Sequence, residues 1–159
     1  MIIKQLVDED FVNYKKPSMF IAFPSCTFKC EKEFGKKMCQ NSSLAQSPSI
    51  EIGIKTIVHR YVNNPITSAI VIGGLEPFDS EDDLVILIAY LRVATQDDIV
   101  IYTGYTKEEI KSREIYKQLL RFPNIIIKFG RYIPDQQKHY DETLGVYLAS
   151  DNQYGVKIS

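Results

Sequence analysis

The chain has 159 residues, of which 45% are hydrophobic and 25% are charged, and its formal net charge is −1. This composition is typical of a soluble globular protein, and the length predicts a single domain spanning residues 1–159. The small net charge excludes a strongly basic chain that binds nucleic acid mainly through counterion release. No apolar stretch reaches the roughly 20 residues needed to cross a bilayer. We therefore expect neither nucleic acid nor a membrane among its partners.

The N-terminal segment and the cysteines together indicate a cellular compartment. Residues 1–14 carry acidic side chains early and have no long apolar core, which argues against a secretory signal. Clustered thiols in a chain without such a signal favour a reducing environment. The sequence therefore predicts a cytoplasmic protein.

The chain begins with a predicted strand and a polar connection. Apolar residues indicate an edge strand at Ile2–Leu6 and a short buried strand at Met19–Phe23, with a mostly polar segment at Asp8–Ser18 between them. After the cysteine-containing segment, Ser42–Ser49 is largely polar and is predicted as a loop.

All three cysteines of the chain follow the buried strand: Cys26, Cys30 and Cys39. Their spacing is C-x3-C-x8-C, and the longer interval holds charged residues and Gly35. We therefore expect a solvated, turn-like insert that includes Lys36. Three thiolates in one loop form a soft-ligand site for zinc or an iron–sulfur cluster, and an odd number argues against a simple disulfide framework. A cubane held by three cysteines leaves one iron open to a ligand.

Strands and helices alternate after the cysteine-containing segment. Continuous apolar runs predict buried parallel strands at Ala69–Ile72, Ile99–Tyr102 and Ile125–Phe129. The predicted boundary residues of the helices are Ser49 for the first, Ser80 with Asp83 for the second, and Thr106 with Glu109 for the third. The tail departs from this repeat, since Gly145–Leu148 and Tyr154–Ile158 are predicted to form a terminal hairpin.

The repeated order of strand, loop and helix predicts an α/β fold with parallel strands and right-handed crossovers. In such sheets, ligands bind at the carboxyl ends of the strands. Three segments follow predicted strands directly: the cysteine loop, Gly73–Pro77 (GGLEP) and Thr103–Tyr105 (TGY). The sequence therefore predicts a ligand site where these segments meet.

Taken together, these motifs resemble the radical S-adenosylmethionine superfamily, and within it the small activating proteins of anaerobic ribonucleotide reductase and related glycyl-radical activases. The resemblance rests on the strand before FPSCTFKC, CQN at the third thiol, GGLEP, IVIYTGY, and SDNQ before the last apolar strand. It implies a partial (β/α) barrel with a mostly parallel sheet, a C-terminal hairpin, and the cluster loop after the first core strand. The chain departs from the family pattern C-x3-C-x2-C and from GGEP. In addition, Val12–Pro17 replaces a glycine-rich segment that helps meet the partner in relatives.

The resemblance implies that each cysteine binds one iron of a [4Fe–4S] cluster, whose fourth iron chelates the amino and carboxylate groups of S-adenosylmethionine. Reductive cleavage would give methionine and a 5′-deoxyadenosyl radical that abstracts hydrogen from a partner. The implied contacts are Met38 near adenine, Gly73, Gly74 and Pro77 at the methionine part, and Thr103 and Tyr105 beside the nucleoside. Glu76 either binds the substrate amino group or is a solvated loop acid.

The implied activity is that of a radical S-adenosylmethionine oxidoreductase acting on a glycyl-radical enzyme, such as anaerobic ribonucleotide reductase. No cysteine remains for a second cluster, so an external one-electron donor such as flavodoxin or ferredoxin is expected. Two alternatives stay open. One is radical chemistry on another peptide or a small molecule. The other is a non-catalytic zinc or iron–sulfur scaffold, in which His59 or His139 completes a zinc site. The tyrosines near the C-terminus form either a partner-facing surface or half-buried positions: Tyr132, Tyr140, Tyr147 and Tyr154.

Overall fold

A six-stranded sheet forms the centre of the computed structural model, which describes residues 1–35 and 37–159. The strands are β1 Ile2–Ile3, β2 Gln5–Asp10, β3 Ser18–Phe23, β4 Ile50–Glu51, β5 Ala69–Gly74, β6 Asp98–Tyr102, β7 Ile125–Phe129, β8 His139–Asp141, β9 Val146–Leu148 and β10 Tyr154–Lys157. The helices are α1 Lys29–Phe34, α2 Ser42–Gln46, α3 Ile54–Val62, α4 Glu81–Ala94, α5 Lys107–Lys111 and α6 Glu114–Leu119, with a 3-10 turn at Pro77–Asp79. The order of the central sheet is β10-β7-β6-β5-β3-β2.

The central sheet is mixed. Its four inner strands, β3, β5, β6 and β7, run parallel, and β2 and β10 pair antiparallel at the two edges. The parallel strands are buried on both faces, which explains why their sequences read as continuous apolar runs. The predicted α/β class is confirmed. Within the described residues, the edge strands do not pair with each other, so the sheet does not close into a barrel.

Apolar side chains pack on both faces of the sheet. On the helix side, α4 buries Leu84, Leu87, Ile88 and Leu91. On the opposite side, which we call the inner face, Val71, Val100 and Ile126 pack with Tyr14 and Leu144. The longest helix, α4, has 14 residues, and in the described part of the chain no helix has the length and apolar character to cross a membrane.

Two short helices occupy segments that were predicted to be irregular. In the cysteine insert, predicted to be turn-like, the carbonyl oxygen of Phe28 accepts the amide of Lys32 at 3.1 Å, and Gly35 ends α1 at φ 66°. Lys36 lies outside the described residues. The second helix, α2, lies within the predicted loop Ser42–Ser49. Neither helix buries a residue, so neither leaves the apolar periodicity by which a helix is recognised.

The helix boundaries agree with the prediction at two of three points. The capping box of Thr106 and Glu109 is confirmed at the start of α5. The cap at Ser49 is wrong, because the residues that follow it pair with β1 as β4, and α3 begins only after Gly53. The boundary at Ser80 is confirmed, since α4 begins at the next residue, but the capping box there is wrong because the Ser80 side chain makes no capping hydrogen bond.

The third predicted helix is interrupted between α5 and α6. Arg113 is extended there, with ψ 150°, and its Nη1 donates to the carbonyl oxygen of Phe78 at 3.2 Å. The same nitrogen lies 3.1 Å from Oε1 of Glu81. The interruption places the guanidinium over the ring of Tyr105, with 4.3 Å between Cζ and the ring centroid. The break therefore directs a cation toward the loop after β6.

Both edges of the central sheet differ from the prediction. The terminal hairpin of Gly145–Leu148 with Tyr154–Ile158 is wrong, because β9 pairs with β8 and β10 adds to β7. This pairing covers the apolar edge that β7 would otherwise expose. At the other edge, the strand predicted at Ile2–Leu6 is divided into β1 and β2. The second of these continues to Asp10, inside the predicted polar connection Asp8–Ser18.

Candidate metal centre and ligand cavity

A cavity of about 350 Å³ lies between the cysteine loop and the inner face of the sheet. Its wall includes all three thiols: Cys26, Cys30 and Cys39. The cavity is located at the carboxyl ends of the parallel strands, where α/β sheets bind ligands. Its volume falls within the range of about 300–1,000 Å³ that is usual for ligand pockets. The cysteine, GGLEP and TGY segments therefore border the same space.

The structure places most of the predicted ligand contacts on this wall: Met38, Gly73, Gly74, Glu76, Thr103 and Tyr105. Pro77 is the exception. It is buried at the first position of the 3-10 turn and does not border the cavity. The fixed φ of proline suits the start of such a turn, so the structure gives Pro77 a role in the backbone.

The two glycines of the GGLEP segment have different roles. A Cβ on Gly73 would lie 3.2 Å from the ring of Phe20 and 3.4 Å from Cβ of Tyr102, so the missing side chain keeps the cavity floor open. Gly74 has φ 88°, and a Cβ there would lie 2.7 Å from Cα of Ala22. The backbone therefore requires glycine at the second position, whereas glycine at the first leaves room for a ligand.

The side chain of Glu31 joins the two ends of the long insert between Cys30 and Cys39. Its Oε1 accepts the amide N–H of Met38 at 3.2 Å and the amide N–H of Cys39 at 3.1 Å. Because Glu31 belongs to α1, this contact brings the third thiol back from the end of the insert to the cavity wall. The interval is thus accommodated by one short helix and one carboxylate.

Three hydrogen bonds join the cysteine loop to the loop after β5. They are Glu76 N–H to the Ser25 carbonyl at 2.8 Å, Thr27 N–H to Asp79 Oδ2 at 2.6 Å, and Asn41 Nδ2 to the Gly74 carbonyl at 2.6 Å. The thiols are therefore held in a fixed relation to the glycines across the cavity.

Glu76 is buried and connects the ends of β5 and β6. Its Oε1 accepts hydrogen bonds from the hydroxyl of Thr103 at 2.8 Å and the amide of Phe78 at 3.1 Å. Its Oε2 accepts the amide N–H of Gly104 at 2.8 Å. Burial raises the pKa of this carboxyl to about 7, although the three hydrogen bonds favour the ionised form. With 5% of its surface exposed, Glu76 is not a solvated loop acid.

The hydroxyl groups of the TGY segment form hydrogen bonds with other groups of the protein. The Thr103 hydroxyl donates to Glu76 and accepts the amide N–H of Tyr105 at 3.0 Å. The hydroxyl of Tyr105 donates to Oδ1 of Asp79 at 2.6 Å. Burial, together with this contact, raises the pKa of Tyr105. The Thr103 and Tyr105 hydroxyls therefore support the cavity wall, and a ligand would meet the surface that they position.

The thiols are free and partly buried. Burial raises the pKa of Cys26 to about 12, opposed by the amide of Phe28 and reinforced by the carboxylate of Glu76. Burial also raises the pKa of Cys30, and the neighbouring Cys39 adds to the shift. Cys26 and Cys30 therefore keep their protons at neutral pH, and metal binding, which requires thiolates, releases them.

The donor set on the cavity wall is three cysteines, which fits three irons of a cubane. Among residues 1–35 and 37–159, no three His, Cys, Asp or Glu side chains converge on one metal-ion position. A cubane instead distributes its thiolates over separate irons, so its ligands stand further apart. His59 is exposed on α3 and His139 lies in β8, and neither borders the cavity. A zinc site completed by either histidine is therefore not supported.

A family model described as a 4Fe-4S single cluster domain matches residues 17–154. The chain belongs to this family. The match supports a [4Fe–4S] cluster, and the matched region contains the three thiols and the GGLEP and TGY segments that border the cavity. The family occurs in radical S-adenosylmethionine-type proteins. Comparison with curated proteins and with solved structures gave no match.

Several wall residues of this 4Fe-4S single cluster domain were not identified from the sequence: Lys29, Asn41, Lys128, Arg131 and Gln153. The signal for Lys128 is a single charge within the apolar run IIIKF. A charge in a strand buried on both faces requires an explanation. Asn41 and Gln153 belong to the CQN and SDNQ motifs and Lys29 adjoins Cys30, but the sequence alone did not assign them to the wall.

An ion-pair network connects α1 to α5 and to the end of β7. Glu109 pairs with Lys29 and lies 2.8 Å from Nη2 of Arg131. Nε of Arg131 lies 3.1 Å from Oε2 of Glu33 on α1. The Arg131 contact is the main cause that lowers the pKa of Glu109 to about 2. Charge pairs therefore hold the first turn of the cysteine insert over the cavity.

We expect Glu31→Ala to increase the rate at which a chelator removes iron from the reconstituted protein by about tenfold, because groups that position metal ligands affect metal affinity on this scale. The variant loses the acceptor for the amides of Met38 and Cys39. Glu31→Gln is the control, since its carbonyl oxygen still accepts both amides. Equal rates for Glu31→Ala and the wild type would show that the carboxylate does not hold the insert.

Proposed function

We propose that this protein is a radical S-adenosylmethionine enzyme that forms a 5′-deoxyadenosyl radical and uses it to abstract hydrogen from a protein partner. The observation that carries the proposal is that Cys26, Cys30 and Cys39 border the same cavity as the open floor at Gly73. The family membership of the chain, in a group that occurs in radical S-adenosylmethionine-type proteins, supports it independently.

The chain's own residues would position and shield the reactants. The three cysteines would hold the cluster, and Gly73 with its neighbours Phe20 and Tyr102 would form the floor beneath S-adenosylmethionine. A bound [4Fe–4S] cluster supplies the electron for reductive cleavage of the sulfonium carbon–sulfur bond. The buried hydrogen bond between Thr103 and Glu76 would hold the ends of β5 and β6 in a fixed geometry. A fixed wall would help to position the reactants.

The partner in this proposal is a glycyl-radical enzyme, with anaerobic ribonucleotide reductase as the first candidate. The three cysteines supply ligands for one cluster, so the electron comes from an external donor such as flavodoxin or ferredoxin. The reaction is suited to a reducing cytoplasm. The four parallel strands, whose helices pack on the face opposite the cavity, are compatible with the partial (β/α) barrel that this function implies.

The proposal is tested by anaerobic reconstitution with iron and sulfide, reduction in the presence of S-adenosylmethionine, and an assay for 5′-deoxyadenosine. We expect product from the wild type and none above background from Cys39→Ala. Ser42→Ala, which alters an exposed position on the nearby α2, should retain the wild-type rate. A wild-type protein that holds a cluster and gives no nucleoside, even with candidate partners added, would contradict the proposal. Copurified zinc without any cluster would favour the scaffold function.

A second function, radical chemistry on another peptide or a small molecule, is favoured by the segment after β2. The amide of Lys15 donates to the Leu144 carbonyl at 2.8 Å, and the hydroxyl of Tyr102 donates to the Asn13 carbonyl at 2.6 Å. Asn13 borders the cavity, so this segment forms part of its wall. Electron paramagnetic resonance separates the two functions. A glycyl radical on the added partner supports the first, and 5′-deoxyadenosine formed without such a radical supports the second.

A further inference from the structure

Lys128 is a buried cation on the inner face of the sheet. It lies in β7, in register with Tyr102 of β6, and 7% of its surface is exposed. The part of the cavity wall that contains Lys128 is formed by the sheet, by β9 and by the segment that follows β2. We call this part the inner compartment. The residues of this compartment are Val12, Asn13, Phe20, Tyr102, Lys128, Val146 and Tyr147.

The ammonium of Lys128 has few partners within the protein. Nζ donates to the carbonyl oxygen of Gly130 at 2.8 Å, and it lies 5.9 Å from the ring centroid of Tyr102. An ammonium has three N–H donors. In the described part of the chain, no carboxylate lies within 4.0 Å of this nitrogen. A buried lysine is normally paired, so this one requires an acceptor from elsewhere.

The nearby carboxylate does not meet this need. The oxygens of Glu76 already accept three hydrogen bonds, from Thr103, Gly104 and Phe78. Burial lowers the pKa of Lys128 to about 8, and the charge of Glu76 only partly opposes that shift. Among the described residues, the inner compartment therefore presents a buried ammonium that no carboxylate contacts directly, beside the aromatic rings of Phe20 and Tyr102.

We propose that Lys128 binds a carboxylate of the second substrate in the inner compartment. This inference rests on the proposed function, in which the carboxylate of S-adenosylmethionine binds the open iron of the cluster. Because the iron would hold that carboxylate at the thiols, we assign the carboxylate at Lys128 to another molecule. Gly73 leaves space between the two regions, beside Phe20 and Tyr102, so both ligands fit on one continuous floor.

The surface beside the inner compartment indicates that this carboxylate belongs to an acidic residue of a peptide segment. Val12 and Tyr147 border the cavity and are exposed by 73% and 72%, and Tyr140 packs edge-on against Tyr147 with 5.3 Å between ring centroids. Exposed apolar and aromatic groups beside a cavity are characteristic of surfaces that contact other proteins. The exposure of Tyr140 and Tyr147 agrees with the partner-facing alternative, whereas Tyr132 is half-buried and Tyr154 packs against Phe129.

The test is a binding titration on reconstituted full-length protein without reductant, using capped tripeptides with a central aspartate or a central asparagine. We expect the aspartate peptide to bind the wild type about tenfold more tightly or better, as is usual for a hydrogen bond to a charged group. Lys128→Met should abolish this preference, and Lys128→Arg should retain part of it. Lys157→Met is the control, because Lys157 contacts Asn124, just before the start of β7, and does not border the cavity.

The outcomes are distinct from those of the proposed function, because binding needs no electron transfer and is measured apart from 5′-deoxyadenosine formation. Preference for the aspartate peptide over both asparagine peptide and free succinate supports a peptide substrate. Equal binding of succinate and the aspartate peptide supports a carboxylate from a small molecule. No preference for aspartate in the wild type, or the same preference in Lys128→Met, would overturn the assignment. Methionine nearly matches lysine in volume and removes a buried charge, so a thermal melt should show that Lys128→Met remains folded.

Discussion

Replacing Gly74 with alanine is expected to lower the free energy of unfolding by about 3 kcal/mol. The left-handed φ of 88° alone costs a non-glycine residue about 1–2 kcal/mol. The added Cβ would also lie 2.7 Å from Cα of Ala22 and 2.8 Å from the amide nitrogen of Phe23. Relief requires movement of β3, and overpacking of this kind costs about 1–3 kcal/mol more. Urea denaturation followed by circular dichroism measures the loss.

The matched control for this prediction is Gly35→Ala. Gly35 also has a left-handed φ, of 66°, but no atom of the described residues lies within 4 Å of an added Cβ. Its substitution should therefore lower the free energy of unfolding only through backbone strain, by about 1 kcal/mol. Equal losses for the two variants would mean that the approach of β5 to β3 is not tight. The difference between them isolates the clash at the cavity floor.

Replacing Glu76 with glutamine should change how stability depends on pH. Burial raises the pKa of Glu76 to about 7 in the folded protein, whereas the unfolded chain loses this proton near pH 4.5. Between these values the folded state binds more protons, so the contribution of Glu76 to the free energy of unfolding falls as pH rises. The full shift corresponds to about 3 kcal/mol. Glutamine does not titrate, so the stability of the variant relative to the wild type should increase by about this amount from pH 4.5 to pH 8.

The control for the Glu76 prediction is Glu109→Gln, because the two carboxyls shift in opposite directions. The pKa of Glu109 is lowered to about 2 by Arg131, so its contribution is lost only as pH falls from about 4.5 toward 2. Its glutamine variant should therefore differ from the wild type by a constant amount between pH 4.5 and pH 8. Denaturant titrations at several pH values provide the comparison. If Glu76→Gln also ran parallel to the wild type, the carboxyl would already be ionised at low pH.

Local sequence information was sufficient for the parallel strands and for the meeting of three segments at one cavity. Runs such as Ala69–Ile72 and Ile125–Phe129 are apolar because they are buried on both faces, so their pattern and their environment correspond directly. Parallel strands then bring the segments that follow them to the same edge. Cys26, Gly73 and Thr103 could therefore be grouped before any coordinates were known.

The remaining features depend on contacts that no local pattern encodes. The pairing of β10 with β7 is non-local, and the sequence favoured the nearer partner in a hairpin. The contact of Glu31 with Cys39 depends on α1, which buries nothing and leaves no periodicity. The position of Lys128 beside Tyr102 depends on strand register, and only the register shows that the charge faces a cavity.

The way α1 is held has a consequence for cluster insertion. Neither α1 nor α2 buries a residue, and the first is attached by partly exposed ion pairs such as Glu33 with Arg131. Salt screens such pairs, and segments with few apolar contacts open at a small fraction of the global free energy of unfolding. The α1 turn, which carries Cys30, can therefore open while the sheet stays folded. Iron and sulfide would then enter by local opening, without refolding of the whole chain, and amide hydrogens of Lys29–Phe34 would exchange well before those of the central strands.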